Sequence, residues 1–123
     1  MEKLIIISIG FVLLLINACA GEKPNPAVLP DSPLKEFKIT AKQFAFEPET
    51  IELKKGDSVR LIITSTDVPH GFSVPEYGIN ERLNPGQPVS IEFIADKEGT
   101  FTSFCSVFCG SGHGKMKGKI IVS

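Results

Sequence analysis

What most constrains the folding of this chain is how often it is interrupted. From Leu34 onward, turn signals recur roughly every 8–12 residues, the spacing of a sandwich or barrel of short strands. The clearest are Lys54-Lys55-Gly56-Asp57, Asn84-Pro85-Gly86-Gln87 and Lys97-Glu98-Gly99, each supplying backbone conformations that a strand does not use. Between them, residues 37–40, 51–53 and 89–93 alternate apolar with polar side chains, as half-buried strands do. Residues 59–63 form a stronger apolar run, and residues 100–104 and 119–122 complete the set. Helical periodicity appears nowhere over a useful length. The expectation is an all-β fold, an antiparallel Greek-key β-sandwich, in a single domain. The aromatic content rests on nine Phe with one Tyr and no Trp, which suits a compact core because Phe buries no polar atom.

Residues 1–18 have the layout of an export signal: a polar start with Lys3, an apolar run from Leu4 to Ile16, then Asn17-Ala18 before Cys19. Small Ala18 directly before Cys19 is similar to a bacterial lipobox, which implies cleavage before Cys19 and a lipid on its sulfur. An uncleaved membrane anchor is the alternative, since the apolar run is only a little shorter than the about 17–25 residues of a spanning helix. Both readings place the rest of the chain outside the cytoplasm, in the periplasm or on the outer face of the cell membrane, and anchored there. Residues 19–33 contain four prolines and no apolar period, the composition of an extended tether. The expected organisation is a signal over 1–18, a linker over 19–33 and a domain over 34–123.

With 13 Lys+Arg against 14 Asp+Glu the net charge is −1, so no global charge excess points to nucleic acid or an anionic surface. The three cysteines are an odd count for an exported chain, which asks for a separate explanation. A lipidated Cys19 leaves Cys105 and Cys109 as a pair.

That pair opens the stretch Cys-Ser-Val-Phe-Cys-Gly-Ser-Gly-His-Gly-Lys-Met over residues 105–116, a CxxxCxxxHxxM pattern, with His70 standing apart in Asp67-Val68-Pro69-His70-Gly71-Phe72. Two thiolates, two imidazoles and a thioether are soft donors, which favour copper and exclude magnesium and calcium. A mononuclear blue-copper site needs one Cys. A second Cys in the same loop lets both sulfurs bridge two copper ions and spreads the charge change of one electron over two metals. A sandwich gathers alternate loops at one end, so a His70 loop and the 105–116 loop can meet.

With these residues in place, the sequence resembles the CuA domain of cytochrome c oxidase subunit II, a cupredoxin-like fold, and is similar to the copper domain of nitrous oxide reductase. The resemblance runs from about Phe37 to Val122 and includes Phe44-Ala45-Phe46 with Pro48, Lys55-Gly56-Asp57, His70-Gly71-Phe72 and Gly99-Thr100-Phe101. It implies two coppers bridged by Cys105 and Cys109, with His70 and His113 as terminal ligands. Met116 and the backbone carbonyl of Val107 would be the axial donors. It also implies single-electron transfer from a cytochrome c or other redox donor to haem-copper oxidase subunits. Val107 stands where the family commonly has Glu, and the Trp that typical subunit II proteins use for electron entry is absent. Phe108 and Phe72 are expected to offer an apolar contact surface instead. Nothing in the sequence resembles a general acid or a nucleophile with its base, so the domain is not expected to be catalytic alone.

Other readings remain beside this one. Cys105 and Cys109 could close a structural disulfide, although so short a loop gains little from it. Zinc could take two Cys and two His, leaving Met116 without a role. A copper delivery protein for an oxidase, or a freestanding lipid-tethered carrier, would use the same ligands. Lys115, Lys117 and Lys119, two apart, share a strand face. They read either as a solvated edge that discourages strand addition or as a steering patch for an acidic redox partner.

Overall fold

The computed structural model describes residues 33–123, so the export signal, Cys19 and nearly all of the linker lie outside the described residues. The described chain forms β1 (Lys35–Lys42), β2 (Ala45–Glu47), β3 (Thr50–Leu53), β4 (Ser58–Ser65), β5 (His70–Val74), β6 (Ile79–Leu83), β7 (Val89–Ile94), β8 (Gly99–Phe104) and β9 (Lys117–Val122). Two single 3-10 turns, Pro75–Tyr77 and His113–Lys115, interrupt them. One sheet has the order β2-β1-β4-β7 and the other β3-β9-β8-β5-β6.

Period-2 patterning builds the interior. In β4, Val59, Leu61 and Ile63 turn inward and are at most 1% exposed, while Arg60 and Ile62 face outward. Ile39 and Ala41 of β1, Ile51 and Leu53 of β3, and Ile120 and Val122 of β9 fill the space between the sheets. Phe46 and Phe72 meet edge to face with ring centroids 5.3 Å apart, a contact that contributes about 0.5–1.5 kcal/mol beyond its buried area. Phe72 is therefore core, and Phe108 alone of the expected pair is at the surface, 78% exposed.

The sandwich is as expected, but its sheets are mixed and not wholly antiparallel. β1 runs parallel to β4, and β3 runs parallel to β9. Alternation reports that a segment is a strand and which face is buried, not its direction. After β2 the chain crosses to the second sheet for β3 and returns as β4, which aligns β4 with β1. A second difference concerns Lys117 and Lys119: β9 lies between β3 and β8, so these side chains cover an interior strand and protect no edge. Lys115 belongs to the preceding 3-10 turn.

Asp57 joins the two sheets at the end remote from the ligand loop. Its carboxylate accepts hydrogen bonds from Lys35 Nζ of β1 and from the Lys54 N–H, both at 2.8 Å. The Lys35 hydrogen bond, then that of Lys54, hold its pKa below the usual carboxylate value against the opposing effect of burial. The folded-state pKa is lowered, so its contribution to stability is present above the unfolded value of about 3.9 and is lost as pH falls through the folded one. Asp57→Ala is expected to lower stability by about 1–3 kcal/mol at neutral pH in urea unfolding. The gap to wild type should close only as the pH drops below about 4.

Candidate metal centre

β8 ends at Phe104, and β5 begins at His70 and runs antiparallel to β8, with Ser73 opposite Phe104. This places His70 beside the loop that leaves β8. His70 is thus the first residue of a strand and not part of the preceding loop, which is why its ring is 0% exposed. The loop closes on itself where it leaves β8 and enters β9: the Cys105 N–H donates to the Met116 carbonyl at 3.1 Å. Within it, the N–H groups of His113, Lys115 and Met116 donate to the carbonyls of Gly110, Gly112 and His113. Gly110, at φ +135°, provides a backbone conformation that L side chains rarely adopt.

These turns bring all the expected donors together. The Sγ atoms of Cys105 and Cys109 lie 3.6 Å apart, and both thiols are free and buried. His70 Nδ1 approaches Cys105 Sγ at 3.8 Å, and His113 Nδ1 approaches Cys109 Sγ at 3.7 Å. Met116 Sδ lies 3.9 Å from Cys109 Sγ, and the Val107 carbonyl lies 3.0 Å from Cys105 Sγ. Each sulfur therefore has one imidazole and one weak donor beside it. The metal-binding atoms of His70, Cys105 and Cys109 lie within 4.8 Å of one another.

Burial, and then the neighbouring Cys105, push the Cys109 thiol up to about 11. Without a cation the Cys109 sulfur therefore stays protonated at neutral pH, because a second charge this close and this dry would be repelled. A bound cation reverses that preference and releases protons, and soft sulfur and imidazole donors make copper the fitting cation. A structural disulfide does not account for a pair of free thiols facing two imidazoles and a thioether.

Asp67 and Gln43 have no place among the expected ligands, yet they orient them. Asp67 Oδ1 lies 2.7 Å from His70 Nε2. An Nε2–H that donates to this carboxylate leaves the Nδ1 lone pair aimed at the sulfurs, as outer partners of metal-bound His do. Burial opposes the charge on Asp67, but hydrogen bonds from the N–H groups of Gln43 and Val68, together with His70, outweigh it and lower its pKa. Gln43 N–H donates to Asp67 Oδ2 at 2.7 Å, and its side-chain Nε2 donates to the Cys109 carbonyl at 2.7 Å. One residue between β1 and β2 thus ties the carboxylate behind His70 to the loop carrying the cysteines. The spacing of Asp67 and His70, three apart, could have flagged the first of these contacts. A lone Gln gives no comparable signal.

Gly71 makes the approach of strand and loop close. A Cβ there would run into Ser106 Oγ and come within 2.8 Å of the Val107 N. The Gly71 N–H in turn reaches Cys105 Sγ at 3.4 Å.

The sequence pattern of the family described as a cupredoxin-like domain matches residues 6–122. The chain belongs to the cupredoxin-like family. This cupredoxin is 34% identical to cytochrome c oxidase subunit 2 of Thermus thermophilus over 101 residues, which cover 80% of the chain and 74% of that subunit. It is 42% identical to the nitrous-oxide reductase of Cupriavidus necator over 89 residues, 69% of the chain but 14% of the reductase. It thus spans a small part of the length of that relative. Its fold is like that of the periplasmic domain of cytochrome oxidase subunit II from Bradyrhizobium japonicum, with a TM-score of 0.67 and 24% identity over 72% of this chain and 83% of that one.

Two substitutions test the supports of the cupredoxin site. Gly71→Ala is expected to cost on the order of 1–3 kcal/mol in thermal or urea unfolding by forcing strand and loop apart. Gln43→Met keeps side-chain length but removes the donor to Cys109. It should weaken copper retention against a chelator by about tenfold while leaving the folded circular dichroism spectrum unchanged.

Proposed function

We propose that this cupredoxin holds a dinuclear copper centre and passes single electrons through it. The observation that carries this reading is the near-symmetric arrangement about the two sulfurs 3.6 Å apart, each with an imidazole Nδ1 within 3.8 Å. Cys105 and Cys109 would bridge, His70 and His113 would each cap one metal, and Met116 and the Val107 carbonyl would be the weak axial donors. When bound, the copper pair supplies a one-electron couple. The protein buries both sulfurs, fixes the His70 ring through Asp67, and holds the loop through Gln43, so little moves when the charge changes.

The likeness to cytochrome c oxidase subunit 2 supports a role as the electron-entry unit of a haem-copper oxidase, receiving electrons from a cytochrome c or comparable donor. The same likeness, together with residues 1–19, supports an exported domain anchored at the outer face of the membrane, with the lipid on Cys19. Copper delivery to an oxidase is the second reading. A loop tied at both ends around buried Cys105, Cys109 and Met116 favours retention of copper over its release.

Copper stoichiometry with EPR on the reconstituted chain is the test. Two coppers with hyperfine splitting from two equivalent nuclei are expected. Cys105→Ser and Cys109→Ser should each leave at most one copper, while Met116→Leu should retain two with an altered reduction potential. Splitting from a single nucleus, or copper stripped by a weak chelator, would overturn the proposal in favour of a mononuclear carrier or a delivery protein.

A further inference from the structure

The two histidines are not equally accessible. His70 is sealed, whereas the half-buried His113 ring lies beside Phe108, with ring centroids 5.6 Å apart. Phe108 is the most exposed large apolar side chain among the described residues, at 78%. On the same loop a groove of about 290 Å³ opens between Phe104, Cys105, His113, Met116 and Lys117. Its floor includes three of the candidate ligands. An exposed ring beside a candidate ligand, next to a groove that reaches others and rimmed by polar side chains, has the make-up of an interaction site.

The charge around this face is one-sided. Lys115 and Lys117 flank Met116, both are exposed, and Lys117 stands opposite Phe104 across the β8–β9 pair. Lys119 follows on the same face of β9. None of the three has a carboxylate partner within 4.0 Å among the described residues, whereas Lys35, Lys42 and Arg60 do. Of the acidic side chains, Glu81 is on β6 at the far edge of the same sheet and Asp67 is engaged behind His70. Glu49 borders β9 where its carbonyl accepts from the Lys119 N–H at 2.8 Å, so the basic rim nearest the ligand-bearing loop is that of Lys115 and Lys117. With a net charge of −1 overall, an unpaired basic rim is a local feature and not the general character of the protein.

We propose that the face formed by Phe108, His113, Lys115 and Lys117 docks an acidic one-electron redox protein, with apolar contact at Phe108 and carboxylates on the lysines. This rests on the two-copper reading for its electron transfer: one electron crosses by way of His113, one partner being oxidised as the other is reduced. Basic rims of this kind govern encounter rate and partner choice more than contact energy.

The first test needs no copper. Amide NMR of the metal-free full chain in neutral detergent is recorded with the redox-inert paramagnetic anion hexacyanochromate(III) and, separately, with a paramagnetic hexaamminechromium(III) cation. The anion is expected to broaden residues 104, 108 and 114–117 selectively, and the cation is not. The second test uses the copper-loaded chain. One electron passes from hexacyanoferrate(II) or from hexaammineruthenium(II), oxidising the reagent to its trivalent form and reducing the site. The hexacyanoferrate rate should fall as salt rises and drop on the order of tenfold in the Lys115→Glu/Lys117→Glu variant, whose EPR spectrum stays as in wild type. Anion broadening spread evenly over all exposed lysines, or rates blind to reagent charge and to the variant, would overturn the proposal. So would vesicle binding in which wild type exceeds the variant on phosphatidylglycerol but not on phosphatidylcholine, since the lysines would then serve a bilayer. A single-copper EPR spectrum would remove the two-copper reading, while the hexacyanochromate map would still report on the surface.

Discussion

Two cysteine sulfurs held 3.6 Å apart and away from water set the terms for everything around them. As thiolates they would repel strongly in so dry a site, and as thiols they leave their strongest donor capacity unused. A soft cation would resolve the conflict, and the imidazoles, thioether and carbonyl that could help to hold it all lie within 3.9 Å of a sulfur. The sandwich beneath exists, for this site, to hold β5 and β8 side by side so that a strand start and a strand end coincide. The rigidity comes from the interior of Val59, Leu61, Ile63 and Phe72, none of which touches chemistry through a polar atom.

The candidate ligands could be singled out in the sequence because they are concentrated. Four side chains and one carbonyl come from a stretch of twelve residues, 105–116, with a pattern that few other chemistries use. The supports were not legible, because they join residues distant in the chain. Gln43 and the Cys109 carbonyl are 66 positions apart, and no periodicity or composition signals such a hydrogen bond. Likewise β5 is buried at all five positions and β6 carries Asn80, Glu81 and Arg82 at its centre. Neither shows the alternation by which the other strands were recognised, so the strand that carries His70 read as loop. Strand direction escaped for a related reason, since pleat and burial are the same for parallel and antiparallel neighbours.

The same physics separates the two halves of the site by role. The His70 half is enclosed, backed by a carboxylate and approached by Gly71 at a distance that excludes any side chain. The His113 half is open, edged by an exposed phenyl ring and by unpaired lysines. One half is held in place by its surroundings and the other faces outward. A β-sandwich lends itself to this division because residues on a strand inherit the stiffness of the sheet while a loop can present itself to a partner.

The hydrogen bond from the Cys105 N–H to the Met116 carbonyl has an evolutionary reading as well. It fastens the loop at its own base, while Gly71 against Ser106 and Val107, and Gln43 on the Cys109 carbonyl, fasten its middle to the sandwich. What stays outside these fastenings is the side chain of Phe108, 78% exposed, which can be exchanged without disturbing the strands. One scaffold can then change what it shows to the outside at a single exposed position while the buried end stays as it is.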